Sequence, residues 1–455
     1  MANLHIYIET KSIGQYTSKR MPKKACLLSF GCRLNQSEIV TLGEQLEELG
    51  IQVSRQLAPD IDLLIINTCA VTNQAISKCT QTLRSLVLKF PRAHVIVTGC
   101  YSILGKKILS KMNGIDLIVS NSNKNSIAAL ALEIIFKPKT KLPVVLEDPN
   151  PEPVGYFSQK IPRASYNKRY NLKIQNGCNF FCSYCIIPFT RGSPQSRDFE
   201  NILEDAKAHA AIGLKEIIIT GVNIGTYENH GRKLLDVINA LDTIDGIVRI
   251  RISSIEFKTI DDKILEKMAD KNHKLAAYLH IPIQSAANPI LSAMKRRYSF
   301  EEFYSYTEKI SKFIPGIGLG TDIMVGFPGE SEKNFLESVE FLKTSPIQYA
   351  HVFTFSPRPG TPAAISQSFV SEQEKLGRSK FLRQISREKK SEFYNSNIGQ
   401  IVDVLFEDRQ NGKFPGYTEN YIKVLTDCPE NITNQIRRVK VVKNEQTHVI
   451  GELIF

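Results

Sequence analysis

Three cysteines share one short stretch, Lys173-Ile-Gln-Asn-Gly-Cys-Asn-Phe-Phe-Cys-Ser-Tyr-Cys-Ile-Ile-Pro188. The C-x3-C-x2-C spacing of Cys178, Cys182 and Cys185 lets three thiolates hold three irons of a [4Fe–4S] cluster and leaves the fourth iron open to a ligand that reacts. An electron-transfer site would bring a fourth cysteine nearby, but Ile186, Ile187 and Pro188 follow instead. Structural zinc prefers four ligands, often as two C-x2-C pairs, and no second pair exists. Disulfides are disfavoured, because the cysteines number nine and no secretory apolar segment is present.

A second set of cysteines is scattered. From about residue 24 to 145, strand-like and helix-like patterns alternate. An apolar strand over 26–30 runs into Gly31-Cys32, one over 62–67 into Thr68-Cys69, and one over 94–98 into Gly99-Cys100. Helices are expected between them over about 36–49, where Ile39, Leu42, Leu46 and Leu49 recur near helical spacing, and over about 74–89. Such alternation implies a parallel sheet covered by helices, and ligands of these sheets collect beyond the carboxyl ends of the strands. Cys32, Cys69 and Cys100 each sit just past such an end, so they are candidates for a second three-cysteine cluster. Cys26, Cys79 and Cys428 repeat no placement and read as ordinary core or surface residues.

In order along the chain, Phe30-Gly-Cys-Arg-Leu-Asn-Gln36, Asn67-Thr-Cys-Ala-Val-Thr72, Thr98-Gly-Cys100, the Cys178–Cys185 run, Arg191-Gly192 and Ser196-Arg197 stand out. Thr321-Asp-Ile-Met-Val-Gly-Phe-Pro-Gly-Glu330 and Phe355-Ser-Pro-Arg-Pro-Gly-Thr361 follow. From about residue 24 to 455 the chain resembles the radical S-adenosylmethionine (SAM) methylthiotransferases. The resemblance implies two [4Fe–4S] clusters, with SAM consumed both as methyl donor and as oxidant. It implies insertion of sulfur and a methyl group at a C–H bond. Family substrates are isopentenyl-adenosine in tRNA, threonylcarbamoyl-adenosine in tRNA, or an aspartate of a ribosomal protein. The runs from Asn67 to Ala75 and from Lys173 to Cys178 look most like the threonylcarbamoyl branch. A non-catalytic iron–sulfur sensor of RNA is the alternative from a different class.

Between residues 169 and 355, strands are expected near 169–174, 216–220, 248–252, 277–283, 318–324 and 349–355, with helices between them. One helix, over 331–343, has Ser331 as its cap and Phe335, Leu336, Val339 and Leu342 as its apolar face. Six βα units suggest a partial barrel, whose site lies at the carboxyl ends of its strands. The polar residues there are the candidate SAM ligands: Thr220, Gly221, Ser254, Glu256, His280, Gln284, Arg297 and Asp322. The family commonly has Gln-Ser-Gly after its fourth strand, where this chain has Gln284-Ser285-Ala286.

The expected fold class is therefore α/β, in five parts. Residues 1–23 are an arm, either unstructured or preceding a true start at Met21. Residues 24–145 form the parallel α/β domain, 146–165 a linker and 166–394 the partial (βα)6 barrel. Residues 395–455 carry short alternating strands and resemble the TRAM domain, a small all-β RNA-binding module, with Lys413, Tyr417, Tyr421, Arg437, Arg438 and Lys440 as candidate RNA contacts. A net charge of +12 favours a polyanionic partner such as RNA. The implied partners are tRNA, a sulfur donor and a reductant protein such as flavodoxin or ferredoxin. No apolar run approaches the ~18–20 residues needed to cross a bilayer, so no membrane partner is expected and the cytoplasm is the expected compartment.

Overall fold

The computed structural model describes residues 23–147 and 169–454. The expectations for the arm up to residue 22 and for the linker from 148 onward lie outside the described residues. Six strands, all parallel, form the first sheet in the order Gln52–Ser54, Lys24–Ser29, Leu63–Thr68, His94–Gly99, Leu117–Val119, Val144–Leu146. Three of these, Gln52–Ser54, Leu117–Val119 and Val144–Leu146, escape the sequence pattern because three residues are too few to show a period. Leu63–Thr68 and His94–Gly99 are buried throughout, as apolar runs covered on both faces must be. The chain steps outward from Lys24–Ser29 to Gln52–Ser54, then returns to the opposite side at Leu63–Thr68. That reversal makes the crevice between Lys24–Ser29 and Leu63–Thr68 a topological switch point, where doubly wound sheets bind ligands.

Six more parallel strands form an arc. Arg169–Lys173, Glu216–Thr220 and Arg249–Ile252 make one sheet, and Tyr278–His280, Gly318–Val325 and Tyr349–Thr354 the other. Parallel bridges Ile250–Leu275 and Ser254–His280 join the two into a half barrel. The fourth strand stops at His280 rather than near 283 because Pro282 offers no N–H to the ladder. Ser331 caps the helix Glu332–Thr344, with Asn334 completing a reciprocal pair of cap bonds. Phe335, Val339 and Leu342 of that helix are buried, whereas Leu336, expected on the same face, is 51% exposed.

The helix Glu372–Asn395 lies along the last barrel strand, with Ser386 Oγ bonded to both the N–H and the carbonyl of Ala350. It leads to a closed five-stranded barrel of Ile401–Phe406, Phe414–Tyr417, Lys423–Thr426, Val449–Leu453 and Ile436–Asn444. Pro415-Gly416 hides the strand Phe414–Tyr417 from a propensity reading. Arginines fasten this barrel to the half barrel. The carboxylate of Glu216, fully buried, takes Arg251 Nε at 3.1 Å and Arg249 Nη1 at 3.4 Å. Arg249 Nη1 also donates to Tyr417 O and its Nη2 to Asp403 O, while the two Nη groups of Arg251 donate to Thr418 O and Glu419 O. Among the described residues no helix is long and apolar enough to cross a membrane.

Candidate functional site

The loop bearing Cys178, Cys182 and Cys185 follows the first strand of the half barrel. Gly177 makes its entry possible: φ is +69°, and a Cβ there would lie 2.0 Å from the Ser193 carbonyl oxygen. Cys178 N–H donates to Gly192 O and Cys185 N–H to Cys182 O, which folds the loop back on itself. The three thiols act on one another electrostatically, and burial pushes Cys185 up to about 12. Arg296, which the sequence reading passed over for its neighbour, donates to Cys182 Sγ at 3.6 Å and to Glu256 Oε1 at 2.5 Å. Arg297 instead stacks on Phe180, inside the cysteine loop, at 4.0 Å.

The turns after the three strands of the first sheet bring Cys32, Cys69 and Cys100 together. Cys32 is the N-cap of the helix Arg33–Glu48, and Cys100 opens the short helix Cys100–Leu104. Burial pushes Cys69 up to about 12, with the charges of Cys100 and Cys32 adding to the effect. Cys32 keeps its side exposed to a cavity, yet the protein mass around it still raises its thiol. Cys26, Cys79 and Cys428 are buried core residues.

Glu38, on the buried face of the helix Arg33–Glu48, was not visible as special in the sequence. Its carboxylate receives Lys124 Nζ at 2.5 Å, Lys173 Nζ at 2.7 Å and Arg191 Nη1 at 2.8 Å, and all four side chains are 3% exposed or less. Burial would raise Glu38, but Arg191, Lys124 and Lys173 outweigh it and hold the carboxyl well below its usual range. Burial pushes Lys173 down to about 8 despite Glu38.

A cavity of about 540 Å³ runs along the inner face of the half barrel and reaches Cys32 and Arg33. Thr220, Gly221, Ser254, His280 and Asp322 line it. Ser254 Oγ lies 2.9 Å from His280 Nδ1, and His280 Nε2 stands 3.3 Å from Asp322 Oδ1 without the alignment of a hydrogen bond. Gly221 is close-packed by the protein itself, since a Cβ would meet Gln175 O at 2.9 Å. Gln284 has φ +74° and pairs through its backbone with Asp322 and Met324, while its buried side-chain oxygen has no partner. Ala286 turns away, its N–H given to Ser338 Oγ at 3.0 Å. Glu256 and Arg297 sit instead in a small hollow beside Cys182. Tyr417 and Tyr421, expected to face RNA, stack on each other at 5.0 Å beneath Arg169. Tyr421 also reaches the cavity and accepts from Arg33. Lys413, Arg437, Arg438 and Lys440 remain on the exposed surface.

Residues 172–342 match the model of the radical SAM superfamily, and residues 24–120 match one described as uncharacterized protein family UPF0004. The threonylcarbamoyladenosine tRNA methylthiotransferase MtaB of Bacillus subtilis is 32% identical over 94% of this chain and 95% of its own length. The chain belongs to the radical SAM tRNA methylthiotransferase family. The MtaB of Aquifex aeolicus is 33% identical over 91% of this chain and 99% of its own length. A tRNA-2-methylthio-N(6)-dimethylallyladenosine synthase of Alkaliphilus oremlandii is 31% identical over 95% of this chain and 93% of its own. The radical SAM methyltransferase TsrM of Kitasatospora setae, a solved structure, matches with a TM-score of 0.56 at 15% identity, covering 76% of this chain and 74% of that one.

Membership implies a [4Fe–4S] cluster and SAM. The Cys178–Cys185 loop fits that requirement: three mutually interacting thiols, a cation donating to one sulfur, and no fourth cysteine nearby. Among the described residues no three His, Cys, Asp or Glu side chains are grouped as a single metal ion would need, so neither cysteine triad has single-ion geometry.

Proposed function

We propose that this enzyme adds a methylthio group at C2 of N6-threonylcarbamoyladenosine, just 3′ of the anticodon in tRNA. Cys178, Cys182 and Cys185 hold the SAM-binding cluster, and Cys32, Cys69 and Cys100 hold a second one. A [4Fe–4S] cluster with an open iron supplies, when bound, the electron that splits SAM. Thr220, Gly221, Ser254, His280 and Asp322 line the SAM pocket from the strand ends, with Gln284 beside them. Glu256 and Arg297 flank it at the cysteine loop, and Arg296 fixes Glu256 there.

One observation carries the choice of substrate. The cavity shared by Cys32 and the strand-end residues is lined by the cations Arg33, Arg251 and Lys390 against one carboxylate, Asp322. Arg251 is committed to Glu216 and to backbone carbonyls, whereas among the described residues Arg33 donates only to the neutral acceptors Tyr421 and Asn171, so the charges of Arg33 and Lys390 remain to meet an anionic group. A threonylcarbamoyl substituent carries a carboxylate, whereas an isopentenyl group would leave those cations facing hydrocarbon at a desolvation cost. Mass spectrometry of tRNA nucleosides from a host lacking its own enzyme, with and without this gene, tests the reading. A new methylthio-threonylcarbamoyl-adenosine peak is expected. A methylthio-isopentenyl-adenosine peak in its place would move the enzyme to the sister substrate, and the absence of both peaks would overturn the assignment.

A further inference from the structure

The three strand-end turns that carry Cys32, Cys69 and Cys100 belong to the first sheet, but groups from the half barrel complete their surroundings. Asn35 Nδ2 donates to Phe30 O at 2.8 Å and to Thr68 O at 3.0 Å, tying together the turns that precede Cys32 and Cys69. The same side chain accepts Arg191 Nη2 on Oδ1 at 2.6 Å. At the third turn, Asn121 Nδ2 lies 3.7 Å from Cys100 Sγ and donates to Thr190 O at 2.9 Å, while its Oδ1 accepts Lys124 at 2.8 Å. Thr190 and Arg191 are neighbours on the short helix that follows the Cys178–Cys185 loop. One two-residue segment of the half barrel therefore touches the supports of all three cysteines.

The charges are also out of balance. Arg191 and Lys124 face the single carboxylate of Glu38, so this pair alone leaves one buried positive charge in excess. Buried charges persist only when compensated. Thiols stand close enough to compensate: Asn121 bridges Cys100 Sγ at 3.7 Å and Lys124 at 2.8 Å, and the charges of Cys32 and Cys100 act on Arg191. Three thiolates around a cluster are anionic and supply the missing charge.

We propose that Arg191 is a positioning residue for a cluster bound by Cys32, Cys69 and Cys100: reaching across from the half barrel, it sets both the geometry of the three turns and the charge felt by that cluster. This rests on the assignment of those cysteines as ligands. Glu38 and Lys124 belong to the same device, with opposite electrostatic sign.

The test uses the full-length Cys178→Ala protein, which keeps only the second site, reconstituted anaerobically and titrated with EPR detection. Arg191→Gln removes a positive charge and is expected to shift the midpoint potential negative, by at least the 59 mV that a tenfold change represents for one electron. Glu38→Gln removes a negative charge and is expected to shift it positive. Iron release to a chelator is expected to be at least tenfold faster in Arg191→Gln. A general loosening of structure would move both variants the same way, so shifts of one sign, or none, overturn the proposal. If Arg191→Gln does not fold, Lys124→Met carries the same expected sign. Absence of iron from the Cys178→Ala parent would overturn the ligand assignment itself, whereas iron present with unmoved potentials overturns only the role of Arg191.

Discussion

Replacing Gly31 with alanine probes the second cysteine triad without touching a cysteine. Gly31 precedes Cys32 and has φ +90°, a region that costs an L-residue about 1–3 kcal/mol. A Cβ built there would lie 2.6 Å from both Cβ and Sγ of Cys69. Non-bonded carbons rest ~3.5–4.0 Å apart, so Cys69 or the turn before Cys32 must shift by about 1 Å. Metal and catalytic constellations tolerate about 0.5 Å. Most of the apolar core of the first sheet lies away from these turns, which contribute Phe30, Ala70 and Cys100 to its edge. Gly31→Ala is therefore expected to fold with a Tm lower by several degrees. On anaerobic reconstitution it is expected to hold about four irons per chain in place of about eight. SAM cleavage to 5′-deoxyadenosine should persist and methylthiolation should fail. A variant with full iron content and unchanged methylthiolation would refute the reasoning, because it would show that the contact between Gly31 and Cys69 does not govern cluster binding.

Acid is expected to loosen the C-terminal barrel. Burial would raise Glu216, but Arg251, Arg249 and Arg169 outweigh it and hold it at about 2, against an ordinary 4.5. A carboxyl depressed on folding contributes stability that is full above its ordinary pKa and is lost as pH falls through the folded value. The shift corresponds to roughly 3 kcal/mol at about 1.36 kcal/mol per unit. Hydrogen exchange across 414–426 should rise as pH falls from about 5 toward about 2, after correction for intrinsic rates, and pH-independent protection would count against this account. At the cavity, Arg33→Met and Lys390→Met should each raise KM for a threonylcarbamoyl-bearing anticodon stem-loop about tenfold or more, since a hydrogen bond to a charged group contributes about 1.5–3 kcal/mol. An equal loss on an isopentenyl-bearing stem-loop would remove the carboxylate from the argument.

The sequence alone determined whatever is written in local spacing or in repeated placement. Cys178, Cys182 and Cys185 share one loop, so their spacing already limits their chemistry. Cys32, Cys69 and Cys100 are far apart in the chain, but each follows an apolar strand, and a parallel sheet puts such ends on one edge. The six strands of the half barrel were legible for the same reason: an apolar run between amphipathic helices needs no partner to be recognised. Strands of three residues carry no period, and the strand through Pro415-Gly416 contradicts its own propensity, so both became visible only through their pairing.

Tertiary structure alone decided the electrostatics. Glu38 looks in sequence like any acidic position of a helix, and becomes a buried carboxylate only because the half barrel delivers Lys173 and Arg191 to it. Glu216 pairs with Arg249 and Arg251 and feels the charge of Arg169, because its two neighbouring strands place those arginines on either side of it. Arg296 rather than Arg297 reaches Cys182 and Glu256, and adjacent positions cannot be told apart without the direction of each side chain. Tyr421, named as a candidate RNA contact from the resemblance to the TRAM domain, packs inward against Tyr278 and Tyr417, with a φ of +70°. Charge pairing and side-chain direction depend on which surfaces the fold brings together, and local spacing carries no record of that.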